Sequence, residues 1–507
     1  MSLTHNPGLP PGTTHRLTIR SQVSSLLPKQ LVAPPSNRLP NPAREADIRV
    51  CGGHAGMGAG GPRSCRKSTT AGSLVACLFL AVALAHGQTG RDPAVVLEQA
   101  CARLQAMAQN LEKYVCVETV NRSYYQRVAP LETARQPAAQ PACAPPAAAS
   151  GPRQLASTDR VRLEVTVSQG GELHSWPGAT RFDARDVDEL IRNGPVSTGA
   201  FGGYLSSVFA QRGVHYQYQG ERSADGKTVF EYAYSVPLGA SRFQIKTATG
   251  WHATAFEGEF QLDPQSLALV SLTVRTIDPP AGAAFCQATT ALDYEMAHIG
   301  DSDVLLPRQS QLEIQLKSGT ETNNVTTFAN CREYQAESEI VFDGSSSNDI
   351  AARQGAGRGR MSLPIGLPVT LALDGPIDTA TAAAGDPVAA KVVTAVRRPG
   401  AAEVLIPAGA VVRGRIRRVE HHLLPKPYFL VALSFNRVDV AGVVAPFVVR
   451  SEPGPDLTEK LGANLDMHDS GIWSWGVGTF LFPTSKANIV IPAGFESKWF
   501  TLATGGR

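Results

Sequence analysis

The sequence predicts a mostly β protein: an α+β domain built as a curved antiparallel half-barrel with helices, followed by a small all-β barrel. Three observations carry this expectation. An amphipathic helix opens at Asp92-Pro93 and stands ahead of the strands. From Gly213 onward apolar residues recur at every second position, with turn residues between the runs. The stretch 343–360 is rich in Ser, Gly and Arg, holds almost no large apolar side chain, and separates two strand-rich regions.

Asp92 suits an N-cap and Pro93 the first helical turn. Leu97, Cys101, Leu104, Ala108 and Leu111 then recur at helical spacing. Tyr114–Val128 is β-branched and aromatic, which predicts a strand. Residues 129–152 form a Pro/Ala-rich loop, disordered or extended. Val161, Leu163, Val165 and Val167 alternate with Arg160, Arg162, Glu164 and Thr166 as a half-buried strand. Two short helices follow. One opens at Asp183 with Val187, Leu190 and Ile191 inward; the other runs near 198–211 with Phe201, Tyr204, Leu205, Val208 and Phe209 on one face. His215–Glu221 and Thr228–Ser235 flank Ala-Asp-Gly-Lys, a hairpin signal. Further strands fit 241–248, 255–262, 267–277, 285–296, 309–317, 325–333 and 337–342.

Beyond the linker, Leu363-Pro364-Ile365-Gly366, Ile406-Pro407-Ala408-Gly409 and Ile491-Pro492-Ala493-Gly494 form three similar corners. Pro followed two residues later by Gly suits a type I turn with Pro second and Gly fourth. The predicted organisation is an extension at 1–56 (disordered, or an over-extended start), a signal peptide at 57–87, the half-barrel domain at 88–342, the linker at 343–360 and the barrel at 361–507.

The signal peptide rests on Leu74–Ala85, twelve apolar residues, after Arg63, Arg66 and Lys67 and before Ala83-Leu84-Ala85 as a cleavage pattern. A bilayer span needs about 20 residues. The expected address is therefore the periplasm or cell envelope. The 507 residues are 43% hydrophobic and 18% charged, too apolar for a highly charged disordered chain. The formal charge of +3 belongs to the leader, where residues 1–87 hold nine basic and two acidic side chains. The remainder, with 38 basic and 42 acidic residues, has charge −4 and gives no reason to expect nucleic acid.

Of eight cysteines, Cys101, Cys116, Cys143, Cys286 and Cys331 lie beyond the leader. Export favours disulfides. The expected pairs are Cys101–Cys116, tying helix to strand, and Cys286–Cys331, tying neighbouring strands, with Cys143 free. No spacing suits zinc, and no cofactor motif is present, so neither metal nor cofactor is expected.

Phe256–Leu262 with Asp263-Pro264, Leu267–Arg275, Tyr294, Gly300-Asp301-Ser302, Leu306-Pro307 and Asn324–Tyr334 give residues 92–342 a layout that resembles the bacterial lipoprotein-carrier fold. The resemblance implies an unclosed antiparallel half-barrel with helices in its concave side. The same stretch, with Tyr114–Thr119, is similar to uncharacterised secreted bacterial proteins, a likeness that implies no activity. Val404–Ile416, Leu430–Asp439, Gly476–Phe480 and Ile491–Gly494 resemble the C-terminal barrel of TrbI-type conjugation proteins. Those proteins carry an inner-membrane anchor and a helical insertion. This chain shows a cleavable-looking signal and no such amphipathic pair, so the likeness implies a barrel rather than a pore.

Several motifs have a chemical and a plainer reading. Gly300-Asp301-Ser302-Asp303 resembles an esterase block, but it lies between strands and reads as a turn. Gly194–Gly199, with Ser197, is one residue too long for a nucleophile elbow and suits a helix-start loop. Arg413, Arg415 and Arg417 alternate as a basic stripe, which reads as a solvated sheet face. Adjacent His421 and His422 point to opposite faces of a strand and do not chelate one metal. Phe201, Tyr204, Leu205 and Phe209 suit core packing, or one wall of a cleft for a lipid or other hydrophobic ligand. The functional expectation is an exported non-enzymatic envelope protein that binds an apolar ligand or a protein partner. The alternatives are a scaffold in a secretion- or conjugation-like assembly and a serine hydrolase using Ser197 or Ser302.

Overall fold

The computed structural model describes residues 18–21, 90–127, 143, 152–168, 171–179, 182, 187–191, 194–224, 226–334, 363–451 and 477–503. The signal peptide, most of the 1–56 extension, the body of the 129–152 loop, the strand expected at 337–342 and the 343–360 linker lie outside the described residues. Among the described residues, no helix is long and apolar enough to cross a membrane.

Helix α1 spans Pro93–Asn110, and the Asp92 carboxylate accepts from the Ala94 N–H at 2.9 Å. Its buried face, which includes Leu97, Ala100, Cys101, Leu104 and Ala108, follows the helical spacing of the sequence. The strands of the large sheet that follow are β1 (Tyr114–Arg127), β2 (Arg153–Ser168), β3 (Gly171–Ser175), β4 (His215–Ala224), β5 (Lys227–Val236), β6 (Ala255–Leu262), β7 (Leu269–Ile277), β8 (Phe285–Ile299), β9 (Ser302–Leu316) and β10 (Glu321–Glu333). All pair antiparallel in the order β4-β5-β6-β7-β8-β9-β10-β1-β2-β3. Strand β4 does not pair with β3, so this sheet is a mostly antiparallel, unclosed half-barrel. The hairpin at 224–227 forms as expected, with Gly226 at φ +75°.

The second β region contains β11 (Pro368–Leu373), β12 (Pro387–Val392), β13 (Val411–His422), β14 (Tyr428–Val440), β15 (Val443–Pro446), β16 (Val449–Ser451), β17 (Gly478–Pro483) and β18 (Glu496–Thr501). Pairing runs β12–β13–β14–β15, and the chain continues from β15 into β16, which returns through β18 and β11 to β12. The ring closes around Trp499, Phe447, Val412 and Val431. At the three corners Gly366, Gly409 and Gly494 have φ of +80°, +81° and +79°. Each glycine N–H donates at 2.8 Å to a neighbouring strand, on Thr501, Val392 and Leu373 respectively. The Ala410 and Phe495 N–H groups close back on Pro407 and Pro492, so Pro is first and Gly third in these turns. A positive φ at the third position is the type II pattern, not the expected type I. Glycine is required because other residues carry a Cβ that disfavours this conformation.

The disulfides also differ from expectation. Cys116 joins Cys331 and Cys143 joins Cys286, while Cys101 is a buried thiol outside both bridges. The reason is sheet order. Strand β1 pairs with β10, the last strand of the meander, and this brings Cys116 beside Cys331 with Cα atoms 4.0 Å apart. Cys101 instead faces the core from α1 at 2% exposure.

The two β regions share a strand pairing. Ser157, Thr158 and Asp159 of β2 lie opposite His422, His421 and Glu420 of β13. Arg162 N–H donates to the Ala384 carbonyl, and Ala384 N–H to that of Arg160. Ala384 joins a small apolar cluster with Val161, Leu163 and Ile191.

Candidate functional site

The four residues of the predicted apolar stripe fill the concave face of the half-barrel. Phe201, Tyr204 and Leu205 are fully buried and Phe209 is 1% exposed. They come from a helical turn, Gly203–Leu205, that continues as a π-helical segment, Ser206–Ala210. Their rings meet Phe328 and Phe260 of the surrounding sheet, and Phe243 of a separate short strand (Phe243–Thr247), at 5.0–6.0 Å between centroids. These side chains pack as core in this conformation. A single π turn interrupts regular helical bonding, and such turns are frequent at functional positions.

Polar anchors hold this plug. The Glu172 carboxylate of β3 accepts from the N–H groups of Gly199 at 2.6 Å and Gly202 at 2.9 Å, and weakly from Gly203 at 3.4 Å. Tyr216 donates to the Val208 carbonyl at 2.5 Å. The Tyr204 hydroxyl lies 3.2 Å from Ser197 Oγ and 3.4 Å from Thr290 Oγ1. Burial pushes its acidity down, so the phenol stays protonated. A Cβ on Gly202 would meet Leu111 and Val167 at 3.0 Å, so glycine lets the segment approach α1 and β2. Tyr294 Oη is buried nearby with no hydrogen-bond partner among the described residues. Sequence reading missed Glu172 and used Tyr294 only for the layout of the fold. Glutamate in a short strand carries no local sign that it caps a distant loop.

Ser302 follows its plainer reading beside a turn, whereas Ser197 lies in a two-residue strand, Val196–Ser197, and not in the expected helix-start loop, the helical turn beginning only at Gly203. Gly300 and Asp301 turn between β8 and β9, and Ser302 opens β9 in an exposed position. His298 Nδ1 is 3.0 Å from Asp303 Oδ1, with both side chains at least 70% exposed. Ser197 faces Tyr204 and the Thr198 carbonyl. Among the described residues neither serine is hydrogen-bonded to a histidine.

The arginine stripe is broken up by bulges at Arg413/Gly414 and Ile416/Arg418. Arg415 donates to the carbonyls of Pro177 and Gly385 at 2.8 Å, and Arg417 lies over the Trp176 ring at 4.9 Å. Both therefore bind the structure together rather than forming a solvated face. His421 stacks on Phe429 and His422 on Tyr428, as opposite strand faces require. No group of three or more metal-ligating side chains occurs among the described residues.

Beside the shared strand pairing lies a buried ionic network. Arg122 makes two bonds of 2.6 Å to Asp159, and Tyr124 donates to the same carboxylate at 3.2 Å. Burial pushes the Asp159 carboxyl above its usual range, and Arg122 opposes this. Arg418 bonds Glu420 at 2.5 and 2.9 Å, and His422 adds a contact at 3.0 Å. Burial works against the Glu420 charge, but Arg418 and His422 outweigh it and hold the carboxyl well below its usual range.

No protein-family model matches the chain, and no curated protein does. Solved structures similar to it are of two kinds. A putative outer membrane lipoprotein-sorting protein domain from Vibrio parahaemolyticus matches over 50% of this chain and 96% of its own, at 11% identity and a TM-score of 0.24. A LolA-superfamily protein from Nitrosomonas europaea matches over 48% and 97%, at 9% identity and a TM-score of 0.21. ComB10 of the Com type IV secretion system of Helicobacter pylori matches over 28% and 87%, at 15% identity and a TM-score of 0.16. These neighbours are the same two kinds of protein that the sequence resembles, a lipoprotein-carrier-like fold and a TrbI-like secretion protein.

Proposed function

We propose that this is an exported, non-enzymatic protein of the cell envelope whose half-barrel receives an apolar group when the 199–210 segment withdraws. The observation that carries the reading is the construction of the concave core. Its central aromatic and aliphatic side chains come from a short, π-interrupted segment held by a few polar anchors, while the sheet around it is continuous. Withdrawal of that segment opens an apolar wall formed by Phe243, Phe256 and Phe260, and leaves the Tyr294 hydroxyl available to a ligand head group. Mass spectrometry of the purified full chain for co-purified lipid tests this, together with titration of an apolar fluorescent probe. Bound lipid or saturable probe binding supports it. Consistently empty protein that binds no probe removes it.

A second reading, a scaffold subunit of a secretion-like assembly, is favoured by the shared β2–β13 pairing and its buried ion pairs, which suit the transmission of load between the two β regions. Cross-linking in the native envelope separates the two. Capture of assembly subunits supports the scaffold, whereas lipid alone supports the carrier. Labelling by a fluorophosphonate, lost in Ser197→Ala or Ser302→Ala, would instead revive the hydrolase.

A further inference from the structure

A cleft of about 370 Å³ lies between the two β regions, away from the apolar plug. Its size falls within the roughly 300–1,000 Å³ range of small-molecule sites, which favour such domain boundaries. Strands β1 and β2 supply Asn121, Ser123, Thr158 and Arg160 to its wall, and the second region supplies His421 and Phe429. The lining is polar, with one stacked aromatic pair.

The charges in this wall do not balance. Arg122 and Asp159 neutralise one another. Among the described residues Arg160 has no such partner: its Nε donates to Asn121 Oδ1 at 2.7 Å and its Nη1 to the Ala380 carbonyl at 2.6 Å. Asp386 acts on it through space but is ion-paired to Arg162. Burial, followed by the like charge of Arg162, lowers the affinity of Arg160 for its proton, and Asp386 offsets this only in part. The guanidinium is thus held in place by neutral acceptors without being neutralised.

A second observation comes from the neighbouring strand β13, whose His421 lies beside Thr158 of β2. His421 Nε2 is buried and has no hydrogen-bond partner among the described residues. Burial and the neighbouring His422 hold this imidazole below its usual range, so near pH 7 it is neutral. Its ring is fixed flat against Phe429, with centroids 4.1 Å apart. Ser123 and Thr158 add hydroxyls that can donate from the same wall as Arg160.

We propose that this cleft binds a small polar molecule through an oxyanion, a carboxylate or phosphate group, that pairs with Arg160 and accepts from Ser123, Thr158 or His421. A planar cation with free donor capacity, together with hydroxyls, recognises such oxygens by charge-assisted hydrogen bonds. The site does not depend on the apolar reading of the half-barrel.

Isothermal titration calorimetry of the full chain at constant ionic strength provides the test, with inorganic phosphate in one arm and citrate in the other. Saturable one-to-one binding of either supports the site, and the stronger arm tells phosphate from carboxylate. Arg160→Gln removes the charge and is expected to weaken binding at least tenfold. His421→Phe retains the stack on Phe429 and is expected to weaken it severalfold. Ser123→Ala replaces the first variant if Arg160→Gln does not fold, judged by circular dichroism. No saturable binding of either anion by the wild-type chain overturns the proposal. So does binding that folded variants leave unchanged.

Discussion

Removing Asp159 is the sharpest test of how the two β regions are held together. The side chains of Arg122 and Asp159 are 2% and 6% exposed, and two charge-assisted bonds of 2.6 Å join them. Asp159→Ala leaves a guanidinium buried without its counter-charge. Breaking one side of a buried pair costs about 3–5 kcal/mol. The adjoining cleft can admit water to the vacated carboxylate position, which places the expected loss at the lower end, about 3 kcal/mol. Replacing the pair together, Arg122→Met with Asp159→Leu, removes both desolvation penalties and is expected to cost much less than the single change. Urea unfolding of the wild type, both single variants and the double variant gives the comparison, with tryptophan fluorescence and circular dichroism as separate probes. A loss below about 1 kcal/mol for Asp159→Ala, or a double variant as unstable as the sum of the singles, would falsify this account of the junction.

Three further outcomes follow from the structure. Glu172→Ala removes the acceptor of the Gly199 and Gly202 N–H groups; a stability loss of about 2 kcal/mol and faster amide exchange confined to 199–210 are expected, and unchanged exchange would disprove the anchoring. Peptide mapping without reduction should recover Cys116–Cys331 and Cys143–Cys286, with Cys101 alkylated only after unfolding; reduction should destabilise the chain by about 2–5 kcal/mol, less than the sum of two separate loops because the second bridge is nested in the first. Glu420 has a lowered folded-state pKa, so its stabilisation is present above the ordinary glutamate value of about 4.3 and is lost as pH falls toward the folded value. Asp159 acts in the opposite sense because burial raises it. The stability difference between wild type and Glu420→Gln, measured by denaturation at successive pH values, should therefore shrink on acidification below about pH 4.3; a difference independent of pH would contradict the assignment.

Much of the architecture was legible in local patterns. Asp92-Pro93 and the spacing of Leu97, Leu104 and Ala108 specify a capped helix, since one turn of sequence contains the cap, the missing N–H and the apolar face. Alternation over Ala255–Leu262 gives a strand because successive side chains point to opposite faces. The same local signals found the glycine corners but misjudged their turn type, which depends on a φ that the Pro-x-Gly spacing does not specify.

Partners distant in sequence required the tertiary structure. Cys116 meets Cys331 because β1 closes onto the last strand of the meander, 215 residues away, and no local signal encodes that choice. Arg415 and Arg417 turn toward the first β region because bulges reset their faces and bring Pro177 and Trp176 within reach. Phe201, Tyr204, Leu205 and Phe209 announced themselves as an apolar face, yet only the fold reveals that Glu172 ties their segment into the concave core. The sequence by itself determined the period, the caps and the turns, which depend on neighbours along the chain. The tertiary structure decided which strands adjoin, which charges are neutralised and where the cleft with Arg160 lies, because those depend on long-range pairing and on burial.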